Sequence, residues 1–194
     1  FRALSKMIGK EKVIFRYDPL ILVEDMTISE LMSRVYRVAD SVCEFTEKMV
    51  FSFADLGYQK VQFNLAKNRI KVREFTNDEM HKIGYALGEY SKQRGIKVAA
   101  CSEAVGLVPY GVEHNSCVDS ELIMRLTGHD EEIAKYISGP SGQRPLCGCS
   151  RSVDIGMYDT CVHNCAYCYA TRSFEFARKN YEEHLSNPYN SSMI

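Results

Sequence analysis

Nowhere does the chain approach the roughly 18 uninterrupted apolar residues that a membrane span requires, and no segment has the basic-then-apolar layout of a signal peptide. These absences predict a soluble, cytoplasmic protein with no membrane partner. Net charge is nearly absent too: 24 Lys and Arg stand against 25 Asp and Glu, a formal balance of -1. No long-range field therefore draws the whole molecule to nucleic acid or anionic lipid, and any such contact must be local. Intrinsic disorder is excluded by composition, because 45% of the 194 residues are hydrophobic, enough for one packed core. The opening FRALSKMIGKEKV, with Phe rather than Met at position 1, reads as the end of a helix that starts earlier in a longer protein. Such a truncation would leave a strand edge open, and a homodimer through that edge is the expected consequence.

Cysteine is what the chain has in excess. Eight are present, about twice the share of an average cytosolic domain, and five of them fall between Cys147 and Cys168. Disulfide frameworks serve secreted domains too small to build a core, whereas this chain has a core and no secretion signal. Thiol chemistry is the better expectation.

Hydrophobic periodicity predicts an α/β fold. Lys12 to Leu22 reads as a buried strand ending near Asp18-Pro19, Met49 to Leu56 as a second and Ile96 to Cys101 as a third. Between them, Thr27 with Glu30 and Thr76 with Glu79 have the capping-box spacing. The first box opens a helix with Ile28, Leu31, Val35, Val38, Val42 and Phe45 on one apolar face. The second opens one with Met80, Ile83, Leu87 and Tyr90 inward, closed by Gly95. Strand alternating with helix gives parallel strands, here a partial (β/α) barrel or half-barrel over residues 1–138. The basic stretch from Tyr58 to Arg73 reads as a solvated hairpin, with phosphate binding as its alternative. A short helix spans Ser120 to Thr127. Residues 139–194 form a loop-rich cysteine module expected to pack on the carboxyl edge of the strands, with a last helix turning Phe174, Ala177, Tyr181 and Leu185 to one face.

Polar residues gather near the predicted strand ends: Arg16 and Asp18, Ser52 and Asp55, Cys101 and Glu103. Ligands of parallel α/β sheets bind at that edge. Arg16, Asp18, Asp55 and Glu103 are the candidate catalytic groups, Arg16 suited to a carboxylate or phosphate and the acids to proton or hydroxyl contacts.

Cys161, Cys165 and Cys168 form C-x3-C-x2-C with Tyr167 before the last cysteine. Three thiolates at this spacing can hold three corners of a 4Fe-4S cubane and leave the fourth iron without a protein ligand. Helix beginning near Ser173 would turn its positive end toward an anionic cluster. Cys147 and Cys149, with Cys101 and Cys117 from the strand-edge loops, offer four thiolates for a closed second site, which suits an auxiliary cluster or a structural zinc equally. Cys43 reads as core, and His163 and His114 as hydrogen-bonding neighbours of the thiols. His81, His129 and His184 read as solvated.

The three-cysteine loop resembles that of the radical S-adenosylmethionine enzymes. That resemblance implies S-adenosylmethionine chelated to the open iron and cleaved by an electron from the cluster to a 5'-deoxyadenosyl radical. In that superfamily the loop follows the first barrel strand, whereas here it follows three strand and helix units. A broader resemblance runs through VIFRYDPLIL, MVFSFADL, the CSE at Cys101 to Glu103, YGVEHNSCVD, GQRPLCGCSRSVDIGMYDTC and HNCAYCYATRS. Together these are similar to a prokaryotic family known as domain-of-unknown-function family 1848, presumed to bind iron-sulfur and sometimes labelled photolyase-like. It implies iron-sulfur binding without fixing a reaction, and the leading expectation is a redox or radical enzyme on an unknown small molecule or nucleic acid. The residues leave open a zinc-bound module that binds a partner or nucleic acid without catalysis.

Overall fold

The computed structural model describes residues 1–139, 143, 146–153 and 155–190. Within them the chain divides into two compact units, residues 1–54 with 74–152, and residues 55–73 with 153–194.

The first unit is built on four parallel strands: β1 (Phe15–Leu20), β2 (Lys48–Phe53), β3 (Lys97–Ala100) and β4 (Val112–His114). Their order in the sheet is their order in the chain. Val50 of β2 lies between Arg16 and Ala99, and Ala99 in turn faces Glu113. The sheet is open, with β1 and β4 at its edges. It starts at Phe15 rather than Lys12, because Lys10–Lys12 form a 3-10 turn. Nor is β1 buried throughout: its residues alternate, with Arg16 and Asp18 exposed, as an edge strand with one open face should. The fourth strand escapes the sequence pattern because it is three residues long and contributes one buried apolar side chain, Val112.

Helix α1 (Arg2–Ile8) precedes the sheet, and α2 (Ile28–Val42) follows β1. Both halves of the expected capping box are in use in α2: Thr27 accepts from the Glu30 amide, and Glu30 accepts from the Thr27 amide. The buried face is Leu31, Met32, Val35 and Ala39, while Val38 is 39% exposed. The apolar stripe is therefore rotated by one position from the expected one, since Met32 rather than Val38 is buried. Burying side chains such as Leu31 and Val35 contributes about 1.5–3 kcal/mol each.

Helix α4 (Asn77–Arg94) repeats the design with Thr76 and Glu79, and ends where Gly95 takes a left-handed φ of 64°. The core joins Leu20, Phe51, Ile83, Leu87 and Val98, with Cys43 packed partly against it. Two more short helices, α5 (Ser120–Leu126) and α6 (Glu131–Ile137), each start on an aspartate cap, Asp119 and Asp130. Among the described residues no helix is long and apolar enough to cross a membrane.

In the second unit the expected hairpin is replaced by helix α3 (Gln59–Lys67), which buries Val61 and Leu65 four residues apart. Only Val72–Arg73 of the alternating RIKVREF run is strand. Helix α7 (Phe174–Ser186) starts on Ser173 and buries Ala177 and Asn180. Tyr181 and Leu185, expected on the inner face, are 43% and 59% exposed. Between α6 and α7 no described residue lies in a helix or strand.

Candidate metal centres

Two groups of thiols stand apart in the chain, one in each unit, and all eight cysteines are free.

The first group is assembled at the ends of β3 and β4. Cys101 follows β3 directly, its amide donating to Phe51 O at 2.8 Å, and the turn after β4 carries Asn115 and Cys117. The Sγ atoms of Cys101 and Cys117 are 3.4 Å apart. The segment with Cys147 and Cys149 lies against this turn: Ser150 N donates to Val118 O at 2.9 Å and Ser116 Oγ donates to Gly148 O at 2.7 Å. Gly148 is what permits the approach, since a Cβ there would lie 2.8 Å from Ser116 Oγ.

Four N–H groups point at two of these sulfurs. Cys117 Sγ accepts from Arg16 Nη1 at 2.9 Å and Asn115 Nδ2 at 3.3 Å. Cys149 Sγ accepts from the amides of Cys117 at 3.1 Å and Val118 at 3.3 Å. Burial would push the Cys149 thiol up, but the Val118 and Cys117 amides and the neighbouring thiols bring it below its ordinary value. Burial and the Cys101 thiol push Cys117 up to about 11 in spite of Arg16. Cys147 is also raised, by burial first.

Arg16 also pairs with Asp18, Nη2 to Oδ2 at 2.7 Å. Hydrogen bonds to Asp18 and Cys117 outweigh its burial and hold the guanidinium charged more firmly than usual. Asp18 accepts from Ser52 Oγ as well. Glu103 turns back to accept from the Phe53 amide at 2.7 Å. Arg16, Asp18, Ser52 and Cys101 are thus linked side by side, as their strand positions suggested. Asp55 belongs to the second unit, where its Oδ1 accepts from Gly57 N at 2.8 Å to close its own turn.

The second group is the C-x3-C-x2-C loop. Cys161, Cys165 and Cys168 line one cavity of about 300 Å³, with Lys60, Lys67 and Arg172 around it. Asn64 Nδ2 donates to Cys168 O at 2.9 Å and Lys60 Nζ to Arg172 O at 2.7 Å, so α3 holds the loop from one side. Tyr167 is fixed by its hydroxyl, which donates to Asp55 O at 2.8 Å and accepts from Asp55 N at 2.9 Å. The N-terminus of α7, with Ser173 and Phe174, completes the lining.

Asp159 is the residue that sequence reasoning missed. Only 5% exposed, it accepts from Arg172 Nε at 2.7 Å and from the Arg172 amide, while Asn180 Nδ2 donates to its carbonyl at 2.9 Å. Those bonds tie the start of the cysteine loop to its end and to α7. The Arg172 amide first, then the guanidinium, holds the Asp159 carboxyl below the usual range in spite of its burial.

His163 and His114 are exposed, and the His114 ring lies beside the C-x-C segment, its Cδ2 3.3 Å from where a Cβ on Gly148 would stand. His81 and His184 are less solvated than expected. His81 shares a hydrogen bond with the Tyr110 hydroxyl at 3.2 Å, and His184 Nδ1 is buried without a partner. A larger cavity, about 460 Å³, opens where β2 and β3 begin; its charged lining includes two ion pairs, Lys48 with Asp119 at 3.2 Å and Arg125 with Glu47 at 3.2 Å. Of the motifs in the cysteine-rich stretch, Gly142, Arg144, Pro145 and Asp154 lie outside the described residues.

Among the described residues no three His, Cys, Asp or Glu side chains are already arranged to hold a metal ion. Thiolates on one cubane each take a different iron and so need not meet at a point. The three loop thiols, with cationic neighbours and a helix N-terminus on the same cavity, are a donor set that fits an anionic cluster.

A parallel α/β sheet with thiols at its strand ends, together with a separate cysteine loop, defines a class of α/β protein with two thiol groups. The model of the family described as "Domain of unknown function (DUF1848)" matches residues 1–170, and the chain belongs to that family. No curated protein and no solved structure matches the chain.

Proposed function

We propose that the protein is an iron-sulfur enzyme of redox or S-adenosylmethionine-dependent radical type, with its cluster on Cys161, Cys165 and Cys168. The observation that carries this reading is that the three thiols line one cavity with Lys60, Lys67 and Arg172. When bound there, a 4Fe-4S cluster supplies single electrons and one iron without a protein ligand, open to a small molecule. The chain's own residues do the rest. Lys60, Lys67 and Arg172 balance the negative charge of three thiolates and of any carboxylate or phosphate that enters. Asn64 and Tyr167 hold the loop backbone in place, and Asp159 closes it.

Anaerobic reconstitution with iron and sulfide tests this. The expected result is about four irons per chain, visible absorption, and an EPR signal on reduction that changes when S-adenosylmethionine is added. Replacing Cys161, Cys165 and Cys168 by Ala should abolish all of these. Failure of the intact chain to bind iron and sulfide sinks the reading; a normal cluster whose signal ignores S-adenosylmethionine leaves redox chemistry alone.

A further inference from the structure

Cys101, Cys117, Cys147 and Cys149 lie wholly in the first unit and take no part in the cluster loop. Geometry links the group: the Sγ atoms of Cys101 and Cys117 are 3.4 Å apart, Cys149 Sγ lies 3.1 Å from the Cys117 amide nitrogen, and Cys147 stands two residues before Cys149. We infer that these four residues form a separate, closed site for one thiophilic divalent ion, zinc, independent of whatever the loop of Cys161 binds.

Spacing selects a single ion over a second cluster. A tetrahedral ion with bonds of about 2.3 Å to sulfur sets its ligands about 3.8 Å apart. The 3.4 Å between Cys101 and Cys117 is near that value. Ligands on separate irons of a cubane stand much farther apart, with the cluster between them. Among the described residues no three of these sulfurs already surround one point, so binding would draw the C-x-C segment in on Cys101 and Cys117. Binding balances simply: the four thiols release four protons to solvent, and the ion with four thiolates carries a charge of -2.

The surroundings are built for that charge. A neutral thiol is a weak acceptor, yet Cys117 Sγ receives a guanidinium and an amide N–H, and Cys149 Sγ receives two backbone N–H groups. Hydrogen bonds of this kind orient thiolate ligands and tune the bound metal. Asn115 supplies an independent sign. It is 2% exposed, spends its Nδ2 on Cys117 Sγ, and leaves Oδ1 buried without a partner. Burying an amide with half its capacity unused is costly, and fixing a metal ligand is the return for it. Gly148 belongs to the same design, since an added Cβ would crowd Ser116 Oγ at 2.8 Å, His114 Cδ2 at 3.3 Å and Asn115 O at 3.4 Å.

The test uses the full chain and a variant with Cys161, Cys165 and Cys168 all changed to Ala, produced with zinc and dialysed against a mild chelator. Both should retain about one zinc per chain. Cobalt(II) in its place should give the intense visible bands of a tetrahedral thiolate site. Cys149→Ser should lose the metal, and Arg16→Gln should weaken zinc binding by about 10–100-fold. Should Cys149→Ser fail to fold, alkylation of the unmutated residues in the triple variant decides: zinc should protect Cys101, Cys117, Cys147 and Cys149 together while leaving Cys43 unchanged. Metal content that disappears with the triple variant, alkylation indifferent to zinc, or an iron-sulfur cluster forming in that variant would each overturn the inference. None of these outcomes depends on whether the loop holds a cluster.

Discussion

Asp159 shows how much one carboxylate can organise. It sits two residues before Cys161 with φ of 60°, a left-handed conformation that Asp and Asn tolerate better than other non-glycine residues. Asp159→Asn keeps that tolerance and removes the charge, so it isolates the hydrogen bonds to Arg172 from backbone strain. The Arg172 side chain is 73% exposed, and solvent weakens its share of the pairing; the bond from the Arg172 amide matters more. The variant should be less stable by about 1–3 kcal/mol at neutral pH. Because the folded carboxyl titrates below its ordinary value, that advantage is complete above the unfolded pKa of about 3.9 and is lost as pH falls through the lower folded value. Denaturant unfolding of both proteins at about pH 6 and about pH 3 measures it, and a stability difference that persists unchanged at the lower pH contradicts the assignment. Nothing in the spacing of MYDTC marks this aspartate, since its partners come from Arg172 and Asn180, far along the chain.

Elements were legible where their causes are local. Both capping boxes lie within four residues of sequence, and α2 and α4 begin where Thr27 and Thr76 place them. Helix α3 is hidden in the sequence because the alternation of RIKVREF is the stronger pattern, whereas the helical signal is only Val61 and Leu65 at a four-residue spacing. Less visible still is why α4 carries Gly84 and Gly88. An added Cβ at Gly88 would lie 1.9 Å from Tyr110 O, and one at Gly84 would lie 2.7 Å from Leu107 Cδ2. Helix propensity alone favours alanine by about 1 kcal/mol. Steric overlap of this depth costs about 1–3 kcal/mol or more, and a backbone carbonyl has less room to yield than a leucine methyl. Gly88→Ala should therefore destabilise the protein, and Gly84→Ala should do so less. Urea midpoints that rise in both variants would show that the 107–111 segment does not press on the helix.

At the scale of the molecule, the thiol pairing was partly readable and its reason was not. Strand ends bring Cys101 and Cys117 together, but the Arg16 and Asn115 donors that prepare Cys117 belong to one strand and one turn separated by about a hundred residues. The division into two units has a consequence for stability that exchange of backbone amides reads directly. Met49, Val50 and Phe51 of β2 are at most 1% exposed, and their strand is paired on both sides, so their amides should exchange only when the first unit unfolds. Unfolding that unit also disperses Cys101, Cys117, Cys147 and Cys149. Zinc at about 1,000 times its dissociation constant adds about 4 kcal/mol to the folded first unit and should slow the β2 amides by about a thousandfold. The Cys117 and Val118 amides, which donate to Cys149 Sγ, should slow with them. Amides of α7 lie in the second unit and should keep their rates. Equal slowing of α7 would mean that the two units unfold as one, and unchanged β2 rates would mean that zinc does not bind where the four thiols meet.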